Sequence, residues 1–198
     1  MSLISIEQLA ADVQLGLWRI DEAEADIDFA RYPDLLQVHS SARRLEKFAV
    51  RSLLRYMTGN EQLALRHLPS RKPIVEGWNL SLSHTRGYAA AILSRHCRVA
   101  VDIEYMSPRV SRVAGKFIRP DEQAPTLIHQ LVNWSAKETV YKYFSDHDLQ
   151  YFDMRLHAFV PVAEGQVVVD NLPHQCVLPV SYRQNDAFVL TYAYSDDE

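Results

Sequence analysis

Arg98-Val99-Ala100-Val101-Asp102-Ile103-Glu104-Tyr105, with Pro108 three residues beyond, decides how the chain is divided. Side chains alternate across an extended strand, so Val99, Val101 and Ile103 share one face while Ala100, Asp102 and Glu104 share the other. The stretch reads as a strand. Pro108 cannot donate to a ladder, which makes Met106-Ser107-Pro108-Arg109 a natural junction. Two more β-prone runs lie upstream, at 79–83 and 88–94, separated from each other and from 98–105 by HTRG and RHC. The three together predict an antiparallel meander. The expected domains are an N-terminal half, 1–106, and a C-terminal half, 107–198.

Residues 15–20 read as a strand, and DEAEADID after them as a solvated turn or short helix. From about residue 38 to 57, Leu45, Phe48, Ala49, Ser52, Leu53 and Tyr56 recur at helical spacing, and Gly59 follows as a C-terminal stop. Beyond the junction Pro120 stands where a helix can start. Residues 127–144 carry Leu127, Leu131, Trp134, Val140, Tyr141 and Phe144 at roughly helical intervals. LHAFVPV, QVVVDN, CVLPVSY and AFVLTYAYS then read as strands, with turns at AEG and RQND. The order strand, helix, meander, helices and strands predicts an α+β fold of two α+β halves, although no sequence repeat marks them.

The 198 residues, 47% of them hydrophobic, suffice for one large domain or two small halves sharing a core. A formal charge of −4 argues against nucleic acid as the main partner. Cys97 and Cys176 make neither a disulfide framework nor a metal-ligand spacing, which suits a reducing cytoplasm. The N-terminus lacks a basic region followed by an apolar run, and no later segment has the length of a membrane span. A soluble, cytoplasmic, monomeric protein without membrane partners is expected.

Four groups of residues can carry chemistry. Asp102 and Glu104, at i and i+2 of a strand, leave the backbone roughly 7 Å apart on one face, so their flexible ends can converge on a hard cation. An exposed strand face carries such a pair commonly enough that more is needed. In Trp134-Ser135-Ala136-Lys137-Glu138-Thr139-Val140-Tyr141-Lys142, Glu138 and Lys142 stand one turn apart on the face of Trp134, a spacing an ordinary surface ion pair also explains. Leu80-Ser81-Leu82-Ser83-His84-Thr85 reads as a strand ending in a turn whose hydroxyls, imidazole and amides suit phosphate oxygens. The fourth group is basic: Arg43, Arg44, Lys47 and Arg51 on the first helix, and Arg71-Lys72-Pro73 in the following loop.

In combination and order these elements resemble the 4′-phosphopantetheinyl transferase superfamily. Ser83-His84-Thr85, then Val101-Asp102-Ile103-Glu104, then Trp134-x-x-Lys137-Glu138-x-x-x-Lys142 follow its pattern. Arg51-Ser52-Leu53-Leu54 is similar to its first-helix segment, Lys72-Pro73 to its Lys-Pro loop, and Phe117 with Glu122 to its Phe-x-x-x-x-Glu element. The length resembles that of the long type, a pseudo-dimer of two α+β halves with the active site between them, which activates peptide, polyketide and related synthases. Ala100 replaces the glycine usual before this strand motif. Ile118 and Arg119 replace an aromatic and a small hydroxyl residue, so the loop can recognise a different carrier.

The resemblance implies transfer of the phosphopantetheine arm of coenzyme A to a serine of an apo acyl or peptidyl carrier protein, releasing adenosine 3′,5′-bisphosphate. It implies Mg²⁺ held by Asp102, Glu104 and Glu138, and a serine proton taken by Glu138 or by a water held by Glu138 or Glu104. Lys142 would stabilise the departing phosphate. Ser83 and His84 would bind phosphates of coenzyme A, and Arg44, Arg51, Arg71 and Lys72 its 3′-phosphate and adenine end. Carrier docking would fall between Val110 and Leu131. The alternatives are a magnesium-dependent nucleotide phosphohydrolase and a degenerate relative that binds coenzyme A or a carrier without transfer.

Overall fold

A computed structural model describes residues 2–70 and 72–195. The secondary structure is of the α+β kind, and the described chain forms two compact units, 2–97 and 98–195. The break lies between Cys97 and Arg98, ahead of the 106/107 position expected from Pro108. The reason is sheet pairing.

In the first unit, β1 (Leu3–Ala10), β2 (Val13–Arg19), β5 (Asn79–Thr85) and β6 (Tyr88–Ser94) form an antiparallel sheet in the order β1-β2-β6-β5. The chain reaches β5 through α1 (Ser41–Thr58) and a two-stranded ribbon, β3 (Arg66–His67) with β4 (Pro73–Ile74). Ser40 caps α1 by accepting from the Arg43 amide, and Gly59 ends it at φ 63°, a left-handed conformation that glycine adopts without a Cβ penalty. Of the apolar stripe predicted for this helix, Ala49, Ser52 and Leu53 are buried, Leu45 and Phe48 are half-buried and Tyr56 is exposed. Ala49, Val50, Leu53, Leu54 and Met57 pack with Trp18, Ala89, Ala91 and Leu93. The helix lies so close to β2 that a Cβ on Gly16 would meet Met57 Sδ at 2.6 Å and Leu53 Cδ1 at 2.8 Å. DEAEADID contains a short 3₁₀ turn, Glu24–Asp26. Strand β1 was not foreseen in the sequence. It is an edge strand that leaves Leu3, Ile4 and Ile6 exposed, so its apolar residues mark no buried face.

The second unit is a five-stranded antiparallel sheet, β7 (Arg98–Tyr105), β11 (Phe188–Ser195), β10 (Cys176–Gln184), β9 (Glu164–Asn171) and β8 (Met154–Leu156), in that order, with α2 (Leu127–Tyr143) packed on it. The meander reading is corrected here. Residues 79–85 and 88–94 do pair, but 98–105 pairs with β11, residue for residue from Arg98↔Ser195 to Tyr105↔Phe188. A 3₁₀ turn, Pro108–Arg112, follows β7; no helix starts at Pro120, and the helix expected over 127–144 is α2, which Thr126 caps by accepting from the His129 amide. LHAFVPV contributes only its leading leucine to a strand. Pro179 fits within β10 because the pairing of β10 with β11 starts at Ser181, so no ladder bond to β11 is asked of it. Among the described residues neither cysteine is in a disulfide, Cys97 being buried and Cys176 half-buried, and no helix is long and apolar enough to cross a membrane.

Candidate active site

Ala100, Asp102 and Glu104 lie on the face of β7 over which α2 packs. Ala100 shares a core with Val132, Ala136 and Val140 of that helix, which keeps the helix close. The acidic face is thus not a solvated one: Asp102 is only 4% exposed and Glu104 is half-buried. Carboxylates so placed need donors, and α2 supplies them. Lys142 Nζ donates to Asp102 Oδ1 at 2.7 Å and to the Val101 carbonyl at 3.0 Å. Ser135 Oγ donates to Asp102 Oδ2 at 2.8 Å. Trp134 Nε1 donates to Glu104 Oε1 at 2.8 Å. Glu138, from the same helix, accepts from the Tyr151 hydroxyl at 2.7 Å.

The surroundings hold these groups in place. Thr191 stands opposite Asp102 in the β7–β11 register, and its hydroxyl lies 2.8 Å from Ser135 Oγ and 2.7 Å from Thr139 Oγ1. That buried hydroxyl cluster fixes α2 against β11, the neighbour of the strand that carries Asp102. The Trp134 ring is packed by Phe117 edge-on at 4.9 Å and by Tyr151 at 5.2 Å.

The electrostatics are those of crowded carboxylates. Burial, reinforced by the Asp102 charge, pushes the Glu104 carboxyl up to about 7. Burial also pushes Glu138 up; the hydrogen bond from Tyr151 opposes this, and the Asp102 charge adds to it. Burial and the bond to Glu138 raise the Tyr151 hydroxyl in turn. Three neighbouring carboxylates, two of them raised by burial and by the charge of the third, are a donor set suited in kind and number to a hard divalent cation. Their side chains do not converge: among the described residues no three His, Cys, Asp or Glu form a metal-ligand group. Both Asp102 oxygens already accept a hydrogen bond, so a cation there must share with or displace Lys142 or Ser135. Glu104 and Glu138 each commit one oxygen to a protein donor and leave the other for a ligand.

Lys137, the neighbour of Glu138, has a separate task. It is fully buried, with both oxygens of Glu122 at 2.8 Å and the Phe117 carbonyl at 2.7 Å from Nζ. Glu122 also accepts from the amides of Arg119 and Leu156, at 2.7 and 2.6 Å. Phe117 and Glu122 are thereby stapled to α2 as the two ends of one loop. Burial pushes the Lys137 ammonium down, and Glu122 opposes the shift.

The remaining sequence-predicted residues lie in the first unit. Arg51, on α1, forms a bidentate pair with Asp34 at 2.8 and 2.5 Å. Arg44 bonds the Val38 carbonyl and Glu24, each at 2.5 Å. Ser83 and His84 are inside β5 rather than in a turn after it. The chain reverses at Arg86-Gly87, where Gly87 takes φ 81°, and His84 Nδ1 is 3.6 Å from Glu46. Lys72 is exposed and Arg71 lies outside the described residues. The structure therefore gathers Asp102, Glu104, Glu138 and Lys142 in the second unit and gives Arg44 and Arg51 acidic partners in the first. Trp134, Ser135, Tyr151 and Thr191 are site residues that sequence reasoning missed. Only Trp134 carried a signal, through its place one turn before Glu138.

Comparison with curated proteins finds no match. Residues 98–193, a span that contains every residue of the carboxylate cluster, match the family model of the 4′-phosphopantetheinyl transferase superfamily, and the match supports that superfamily and phosphopantetheinyl transfer in general.

Proposed function

We propose that the protein is a holo-carrier-protein synthase of the long, synthase-activating type. It moves 4′-phosphopantetheine from coenzyme A to a serine of an apo acyl or peptidyl carrier protein and releases adenosine 3′,5′-bisphosphate. The observation that carries this reading is the carboxylate cluster with Lys142 against it, inside the segment that matches the superfamily. Asp102, Glu104 and Glu138 would hold Mg²⁺, which when bound supplies charge neutralisation for a pyrophosphate.

The chain's own groups account for the proton and the leaving charge. Glu138, or a water held by Glu138 or Glu104, takes the serine proton through a carboxylate oxygen that has no protein donor. Lys142 stabilises charge on the departing phosphate. It is partly exposed, so its ammonium can leave Asp102 for an incoming phosphate without unfolding anything. Trp134 and Ser135 keep Glu104 and Asp102 oriented while Lys142 moves. Ser83, His84, Lys72, Arg71, Arg44 and Arg51 stay in the proposal as phosphate or adenine contacts of coenzyme A. Arg44 and Arg51 must exchange Glu24 and Asp34 for the ligand to serve.

The test is mass spectrometry of apo carrier proteins after incubation with the enzyme, coenzyme A and Mg²⁺. The expected result is a carrier heavier by one phosphopantetheine, lost in Asp102→Ala and Glu138→Gln. Coenzyme A cleavage without carrier modification would favour a phosphohydrolase, and coenzyme A binding without either reaction a non-catalytic relative.

A further inference from the structure

One donor at the carboxylate cluster comes from outside α2 and β7. Glu138 leaves α2 one turn before Lys142, the spacing of an ordinary ion pair, yet Lys142 Nζ is given to Asp102 and to the Val101 carbonyl. Among the described residues, the hydrogen-bond donor that Glu138 does have is the Tyr151 hydroxyl, 2.7 Å from Oε1. The glutamate side chain is long and flexible, and the Asp102 charge repels it. Its aim therefore depends on that one bond.

Tyr151 is itself held from two sides. Its ring lies 5.2 Å from the Trp134 ring, so it is seated on the same helix whose carboxylate it bonds. Its 3₁₀ turn, Tyr151–Asp153, is closed by Asp153, whose carboxylate accepts from the Gln150 amide at 2.8 Å and whose carbonyl accepts from the Leu172 amide at 2.9 Å. The next residue, Met154, is fully buried at the start of β8. A fixed turn thus delivers the hydroxyl, and the hydroxyl is a neutral donor. A lysine in its place would pair with Glu138 and offset its charge, as Lys142 does for Asp102, whereas a phenol orients the carboxylate and leaves the charge to act.

Resting on the transferase reading, we propose that Tyr151 is a positioning residue: its hydroxyl fixes Glu138 through Oε1 and so presents Oε2, which has no protein donor, to the serine proton or the cation. In this role Tyr151 touches neither substrate nor metal. It acts through Glu138 alone, so its effect must vanish when Glu138 cannot act.

The experiment is a double-mutant cycle of Tyr151→Phe and Glu138→Gln in the full-length protein, read as transfer to an apo carrier and as calorimetric titration of Mg²⁺ with coenzyme A present. Tyr151→Phe keeps the ring against Trp134 and deletes one charge-assisted hydrogen bond. Its kcat is expected to fall about tenfold, KM for coenzyme A and carrier to stay within about twofold, and Mg²⁺ to bind severalfold more weakly. In the Glu138→Gln background the same substitution should change neither readout by more than about twofold. A merely structural tyrosine would instead lower both backgrounds alike. Tyr151→Leu, which loses the ring as well, separates packing from positioning: its unfolding midpoint is expected to fall and to be restored in Tyr151→Phe, while the rate stays low in both. The proposal is overturned if Tyr151→Phe transfers and binds Mg²⁺ like the wild type, or if its loss is as large in Glu138→Gln. A wild type that modifies no carrier overturns the transferase reading, and the Mg²⁺ titrations then decide the role of Tyr151 by themselves.

Discussion

Lys137 and Lys142 leave the same helix, and each meets a carboxylate at hydrogen-bond distance, yet the two pairs are built for opposite purposes. Around Lys137 everything is closed. Its ammonium is satisfied by Glu122 and a carbonyl, and Glu122 spends its remaining capacity on the amides of Arg119 and Leu156. Around Lys142 the arrangement stays open. The lysine is partly exposed, and its partner Asp102 shares its neighbourhood with two carboxylates that repel it and each other. A closed pair fixes a loop; an open one can trade its partner for a ligand.

The comparison breaks most visibly at Lys137. Lys137→Met leaves Glu122 ionised and buried opposite an apolar side chain, and should cost about 3–5 kcal/mol of stability in urea or thermal unfolding. Adding Glu122→Gln to Lys137→Met should recover part of the loss, since it removes the unpaired charge, but only part, because the one amide oxygen can serve either the Arg119 or the Leu156 amide and not both. A Lys137→Met that unfolds like the wild type would show that the closed pair holds nothing in place.

Substitution within the open cluster should instead be felt in turnover. Asp102→Ala and Glu138→Gln are expected to lower the transfer rate by about 10²–10³-fold while changing the unfolding midpoint little, because removing one of three crowded charges relieves repulsion as it deletes contacts. A folded Asp102→Ala that transfers at the wild-type rate would remove the cluster from the mechanism. Trp134→Phe is gentler. It keeps an aromatic ring between Phe117 and Tyr151 but deletes the donor to Glu104, for an expected loss of about tenfold in rate, read as kcat against KM.

The sequence shows this contrast only in part. Periodicity brings out strand 98–105 and helix 127–143 because each is written in consecutive residues. The division of the chain escapes it, since the partner that draws 98–105 into the second unit is 188–195, at the far end of the chain. The same holds for the site. Asp102, Glu104, Glu138 and Lys142 are picked out as candidates by residue type and spacing together with the resemblance to the superfamily, whereas Thr191 joins them only through its register opposite Asp102, and Tyr151 only through the turn that brings its hydroxyl to Glu138. Nor does spacing tell the closed lysine from the open one. Both read as charged helix positions, and only the burial of Lys137 beside Glu122 separates them.

The smallest expected effect tests the burial and crowding of Glu104 together. Burial and the Asp102 charge push Glu104 up to about 7, above the ordinary 4.5, so between those values the folded state holds a proton that the unfolded state has lost. Stability conferred by the protonated carboxyl is then fully present below pH 4.5, falls as pH rises through the window and levels off above about 7. Glu138, raised in the same direction, adds to the fall. Glu104→Gln cannot ionise and should flatten the profile of unfolding midpoint against pH in that window. Mg²⁺ bound to the wild type should flatten it too, because a cation favours the ionised carboxylate that crowding opposes. An unchanged slope in Glu104→Gln would mean that burial and the neighbouring charges do not raise this carboxyl. The difference between the two lysines would then rest on exposure alone.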